Sequence, residues 1–247
     1  MRGVASRLWR SRFSRSVLTL LAGGAAAQTV VFLARPVLTR LYSPEAFGVL
    51  SEFVALAALL AVLATLRYED AIPLPDPNAR AGALLALCAT VALGVCGVAA
   101  VALMPREAIA AQLGAPALAP LLPFVPLAAL LYAWGNAAQA WLARADRYRA
   151  IAFGLGAQAV GTVALQLAAP ELEAAGLVFG SVLGAVLFAL ALLGWALASG
   201  ALVGVSPEAI VSVARRYARF PRLGLPATAL GQIGARLPPL ALGAMLG

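Results

Sequence analysis

The sequence predicts an all-α, polytopic transmembrane bundle of six complete spans with a seventh beginning at the carboxyl end. Three observations carry that prediction. Charge-free or nearly charge-free runs cover 17–38, 46–66, 81–104, 117–141, 150–169, 174–198 and 223–247. Each approaches or exceeds the ~20 residues an α-helix needs to cross hydrocarbon about 30 Å thick. Fourteen of the eighteen arginines fall in every second gap between these runs. The chain is 63% hydrophobic and 11% charged, with a mean hydropathy of +0.93, far from the composition of a soluble domain.

The basic leader, 1–16, carries Arg2, Arg7, Arg10, Arg12 and Arg15, with Val4, Leu8, Trp9 and Phe13 among them. It reads either as a short helix on the inner membrane surface or as an irregular arm. Ala25-Ala26-Ala27 resembles a signal-peptidase site, but apolar character continues to Leu38, so the first run reads as a retained span. Arg67 and Arg80 flank the gap between runs two and three, Arg144, Arg147 and Arg149 that between four and five. Arg215, Arg216, Arg219 and Arg222 precede run seven, whereas the other gaps hold only Arg40 and Arg106. Cationic loops stay cytoplasmic during insertion. The expected placement is therefore multi-pass in the inner membrane with a cytoplasmic amino terminus.

Spans 17–198 form the expected first bundle. Pro120, Pro123 and Pro126 predict a bent or broken element in run four. Gly176, Gly180 and Gly184 predict a close helix–helix contact along run six. Cys88 and Cys96 lie about 12 Å apart along one helix and cannot bridge; they read as packing residues. The gap 199–222 predicts an amphipathic cytoplasmic linker helix. Ser206 is its cap, Pro207 its first residue and Glu208 in its first turn, with Ile210, Val213, Ala214 and Tyr217 on the apolar side. Residues 223–247 then open a second bundle.

The function classes narrow by absence. The sequence contains no lysine and no histidine, which removes the P-loop lysine, histidine bases and most zinc sites. No catalytic residue, metal site or cofactor is predicted. A sequence pI near 10.7 would suggest nucleic acid in a soluble protein, but the arginines are accounted for by topology and anionic membrane lipid, so no nucleic-acid partner is expected. The outer gaps 39–45, 105–116 and 170–173 leave no room for an external catalytic domain.

Three segments, RLYSPEAFG at 40–48, LRYEDAIPLP at 66–75 and FPRLGLPATALGQIGARLPPLALGAMLG at 220–247, resemble corresponding segments of bacterial polysaccharide (O-antigen type) flippases. These belong to the multidrug/oligosaccharidyl-lipid/polysaccharide exporter superfamily. The resemblance implies two facing bundles, an alternately opening cavity, and a cargo of oligosaccharide linked by diphosphate to undecaprenyl lipid. Family members are nearly twice as long, so the resemblance also implies a missing second bundle, supplied by further chain or by a homodimer partner. In physical terms the first two motifs are boundary signals. Arg40 and Tyr42 anchor at the interface, and Ser43 and Pro44 start the second helix. Arg67, Glu69 and Asp70 end that helix in water.

Arg35 and Arg236 are the only arginines inside predicted spans, where a cation costs ~2.5–3.5 kcal/mol at mid-helix. Counted from Val17 and Pro221, both lie in the outer half and differ by only ~5 Å in depth. Two guanidinium groups at one depth suit bidentate clamping of a diphosphate, and the resemblance points the same way. Snorkelling to headgroups is the alternative for Arg35. Pro238 and Pro239 open the backbone beside Arg236. Glu52, in the first third of the second helix, reads as a proton-coupling group or as the counter-charge to an arginine such as Arg15. Gln28, Asn136, Gln139, Gln158, Gln166 and Gln232 suit either sugar hydroxyls or helix-to-helix bonding. Gln28 before Arg35-Pro36 and Gln232 before Arg236 and Pro238 hint at an internal repeat. The competing readings are a multidrug or cation antiporter of the same superfamily, a glycan polymerase or ligase, and a membrane scaffold.

Overall fold

In the computed structural model, residues 2–74, 78–222 and 224 are described, with side chains from Leu18 onward. Eight α-helices occur among them: α1 (Arg2–Leu41), α2 (Pro44–Thr65), α3 (Asn78–Ala102), α4 (Arg106–Gln112), α5 (Phe124–Arg144), α6 (Tyr148–Ala168), α7 (Ala174–Ala198) and α8 (Pro207–Arg216). Five segments are long and apolar enough to cross a membrane: Leu18–Leu41, Pro44–Thr65, Asn78–Ala102, Tyr148–Ala168 and Ala174–Ala198. The six-plus-one expectation thus reduces to five on these criteria. Run seven lies outside the described residues apart from Gly224.

The difference at run four has a physical cause. Proline lacks the N–H that an α-helix requires and crowds the preceding turn. Pro116–Leu121 is a 3-10 segment containing Pro120, and α5 begins only after Pro123, extending to Arg144 instead of ending near 141. The leader also differs from a helix lying on the surface, because the backbone of 2–16 continues α1 without a break. The starts of α2 and α8 follow the predicted chemistry. Ser43 Oγ accepts the Ala46 N–H at 3.3 Å, and Ser206 Oγ accepts that of Ala209 at 3.2 Å. Each cap is followed by a proline in the first turn, and such a cap is worth about 1 kcal/mol.

Close contacts define the helix directions. Gly23 near the middle of α1 lies against Ala152 at the start of α6. The Tyr42 hydroxyl, just past the end of α1, donates to the carbonyls of Gln166 (2.6 Å) and Ala169 (3.1 Å) at the end of α6. α1 and α6 therefore run parallel. α7 returns antiparallel to α6: Gly176 meets the Ala169 carbonyl, Gly180 meets Thr162 and Gln166, and Gly184 meets Gln158 and Thr162. The glycine face is the close-packed seam expected of it. α5 runs beside α7, with Gly135 against Phe188 and the Trp141 indole N–H donating to Ser199 Oγ at 2.9 Å. α3 is tied to α5 by the Trp134 indole N–H on the Ala89 carbonyl at 3.1 Å. α2 fills the remaining side, burying Phe53 and Ala57 with Val125, Ala128 and Val178. Cys88 and Cys96 are buried free thiols.

These directions sort the connections into two ends. One end carries 66–74, 145–147, 199–206 and α8. The other carries 42–43, the 103–123 segment with α4, and 169–173. Arg67, Arg80, Arg144, Arg147, Arg149, Arg215, Arg216, Arg219 and Arg222 all belong to the first, here called the basic end.

Candidate functional site

Arg35 and Gln28 are both exposed, whereas Ala34 and Leu38 on the adjoining face of α1 are buried at 8% and 4%. Seven residues turn an α-helix through almost two full turns, so Gln28 and Arg35 share one flank beside the face that packs on α6. Arg35 precedes Leu41 by six residues, placing it about 9 Å from the non-basic end of α1. Arg236 and Gln232, the other halves of the expected diphosphate and repeat pairs, lie outside the described residues.

Asn136 is exposed on α5, and Gln139 is half-buried. With Tyr132 they occupy positions i, i+4 and i+7, a single face. The Tyr132 hydroxyl lies beside the Gln158 side chain of α6, so this face joins the polar groups of two helices. Tyr132 was not among the sequence candidates. Its spacing from Asn136 was the available signal. Gln166, in contrast, is buried, and its amide donates to the Leu177 carbonyl at 3.0 Å. It serves helix-to-helix bonding, one of its two expected roles.

Glu52 is exposed and lines a pocket of about 330 Å³ with Ser51, Ala55, Leu56, Leu113, Ala115 and Leu118. It stands eight residues into α2, about 12 Å from the end where α2 meets α1. Arg15 lies twenty-six residues before that same end of α1, about 39 Å away along the axis. The proposed Arg15 counter-charge is thus corrected: the hairpin sets the two positions at opposite ends. Neither Glu52 nor Arg35 makes an ion pair among the described residues.

The second motif builds a junction at the basic end. Leu66 and Arg67 have positive φ of 50° and 63°, which turns the chain sharply after α2 into the 3-10 helix Tyr68–Ala71. Non-glycine residues reach this region at a cost, and here surrounding bonds hold it. Arg67 pairs with Asp70 at 2.9 Å, and the Tyr68 hydroxyl donates to the Ala214 carbonyl of α8 at 3.1 Å. Arg144 donates to the Pro73 carbonyl (3.0 Å) and to Asn78 Oδ1 (3.2 Å). Glu69 does not end the helix in water, as the motif suggested. Its Oε2 is shielded from solvent with no hydrogen-bond partner, and burial pushes its carboxyl above the usual range. Glu208 goes the other way, held low by the Ser206 hydroxyl and its own backbone N–H.

No group of three or more His, Cys, Asp and Glu able to hold a metal occurs among the described residues. Comparison of the chain with protein-family models, with curated proteins and with solved structures finds no match in any of the three.

Proposed function

We propose that this chain is the first helical bundle of an inner-membrane flippase for lipid-linked oligosaccharide, a transporter and not an enzyme. In this reading the basic end faces the cytoplasm, in keeping with the retention of cationic loops. α5, about 31 Å long for its 21 residues, is the sixth crossing despite Asn136 and Gln139, and 223–247 begins the second bundle. The observation that carries the reading is Arg35. It is a guanidinium about 9 Å inside the span, exposed on a bundle flank that also bears Gln28. A cation at that depth needs an anionic or wet partner, and a diphosphate supplies both charge and matching acceptor geometry. Arg236 is the proposed second cation. The polar face of Tyr132, Asn136, Gln139 and Gln158 would meet sugar hydroxyls, and Gln28 and Gln232 would flank the diphosphate. Rocking of the two bundles would carry the glycan across while the lipid tails remain in the bilayer.

The test is chromosomal deletion followed by complementation with the native frame or its Arg35→Ala and Arg35→Lys variants. Surface glycan and inner-face lipid-linked precursor are both measured. Deletion should abolish surface glycan while the precursor accumulates. Arg35→Ala should restore roughly a tenth or less of the native level, as expected for loss of about 1.4 kcal/mol or more of diphosphate binding, with Arg35→Lys between. Unchanged surface glycan on deletion would end the proposal. Full complementation by Arg35→Ala would assign that residue to headgroup anchoring.

A further inference from the structure

α8 turns its two sides to different surroundings. Val213 is 1% exposed, and Ala209, Ile210, Ala214 and Tyr217 pack with it on the cluster that contains Ala81, Leu84 and Leu85 of α3. The apolar face is thus covered by the bundle and not by lipid tails. Arg215 and Arg216 are exposed on its outer side, and Arg219 is exposed just beyond its end. Because α8 rests on the first turns of α3, the end of a span, its outer side stands at headgroup depth. That layer is about 5–8 Å thick on each side of the hydrocarbon.

Between α8 and the α2–α3 connection lies a pocket of about 430 Å³ lined by Leu74, Arg216, Tyr217 and Arg219. Arg216 is the last residue of α8 and Arg219 follows it across the turn at Tyr217 and Ala218, and both guanidinium side chains line the pocket. The Arg219 guanidinium sits 5.5 Å from the centroid of the Phe220 ring, a cation–π arrangement that orders the side chain. Among the described residues no carboxylate lines the pocket. Glu208, the acid of α8, lies two turns before Arg216 and is occupied with the Ser206 cap. Leu74, 56% exposed, forms an apolar lip beside the cations.

We propose that this pocket binds the phosphate headgroup of an anionic phospholipid from the leaflet at the basic end. Arg216 and Arg219 take the phosphate oxygens as guanidinium forks. Leu74 meets the glycerol and upper acyl carbons, the part of the ligand that a soluble phosphate lacks. The site is at the opposite end of the molecule from Arg35 and does not depend on the cargo.

The test uses the full chain in neutral detergent, with binding of dioctanoyl phosphatidylglycerol measured by native mass spectrometry. Dioctanoyl phosphatidylcholine and inorganic phosphate are the comparison arms. The double variant R216Q/R219Q should bind phosphatidylglycerol about ten-fold more weakly, while R215Q, on the same helix but outside the pocket, stays within about two-fold. R216K/R219K keeps the charge but loses the forks, and should still lose roughly three-fold. All three positions are exposed, so folding is not at stake. Equal losses for R215Q and the double variant would reduce the effect to diffuse attraction and overturn the site. So would phosphatidylcholine binding as tightly as phosphatidylglycerol. Inorganic phosphate binding equally well would overturn the lipid source.

Discussion

The glycine seam between α6 and α7 offers the sharpest test of the packing. A Cβ added at Gly184 would overlap the Thr162 hydroxyl and lie 2.8 Å from the Gln158 carbonyl oxygen and 3.2 Å from Thr162 Cβ. A hydroxyl can rotate away, but a helical carbonyl oxygen cannot, so the two helix axes must separate. Overpacking of this kind costs about 1–3 kcal/mol, and a backbone obstacle argues for the upper half of that range. Replacing a helical glycine by alanine returns about 1 kcal/mol of intrinsic propensity. Gly184→Ala should therefore be destabilised by roughly 1–2 kcal/mol. Gly194, on the same helix, has nothing within 4 Å of the corresponding position, so Gly194→Ala should be neutral or slightly stabilising. Gly180, where the Thr162 carbonyl oxygen is again 2.8 Å away, should behave like Gly184. The double variant should cost less than the sum, because separating the helices once relieves both sites. Reversible unfolding of the micellar protein by dodecyl sulfate, followed by circular dichroism, measures all four variants. Equal stability of Gly184→Ala and Gly194→Ala would refute the close approach of α6 and α7.

Two further predictions concern the basic end. Burial raises the Glu69 carboxyl above its ordinary value of 4.5, so the folded protein holds that proton more tightly than the unfolded chain. Stability from this group is full below pH 4.5 and is lost as pH rises through the folded value, since the native state then binds more protons. Glu69→Gln should flatten that fall and leave the protein more stable at neutral pH; a steeper fall would contradict the burial argument. Ser206→Ala removes the acceptor for the Ala209 N–H and should weaken α8 by about 1 kcal/mol. Amide exchange should then quicken in the first turn of α8 by roughly five-fold, with α7 unchanged.

The sequence announced most span boundaries because apolar length and arginine placement are local properties. Runs 46–66, 81–104, 150–169 and 174–198 match α2, α3, α6 and α7 within a few residues. Ser43, Ser206 and the seam glycines were equally legible, since caps and close approaches demand particular residues. What stayed hidden depends on neighbours distant in the chain. No periodicity reveals that α1 pairs with α6, or that Tyr42 reaches the carbonyls of 166 and 169. The apolar face of α8 was visible, but whether lipid or protein covers it is a question of tertiary contact. Glu69 was misjudged for the same reason: a carboxylate after a helix reads as solvated unless another segment folds over it. Among the candidate site residues, helical spacing joined Gln28 to Arg35 and Asn136 to Gln139, while it could not separate the satisfied Gln166 from the exposed polar groups.

The parallel pairing of α1 with α6 also bears on biogenesis. About 106 residues lie between Leu41 and Tyr148, and a ribosome adding 5–20 residues per second takes roughly 5–20 s to make them. Through that interval the first helix waits in the bilayer without its main neighbour, carrying Arg35 on an uncovered flank. Its retention then rests on membrane insertion machinery or on lipid, and nascent chains stalled before α6 should be the ones most readily extracted and degraded.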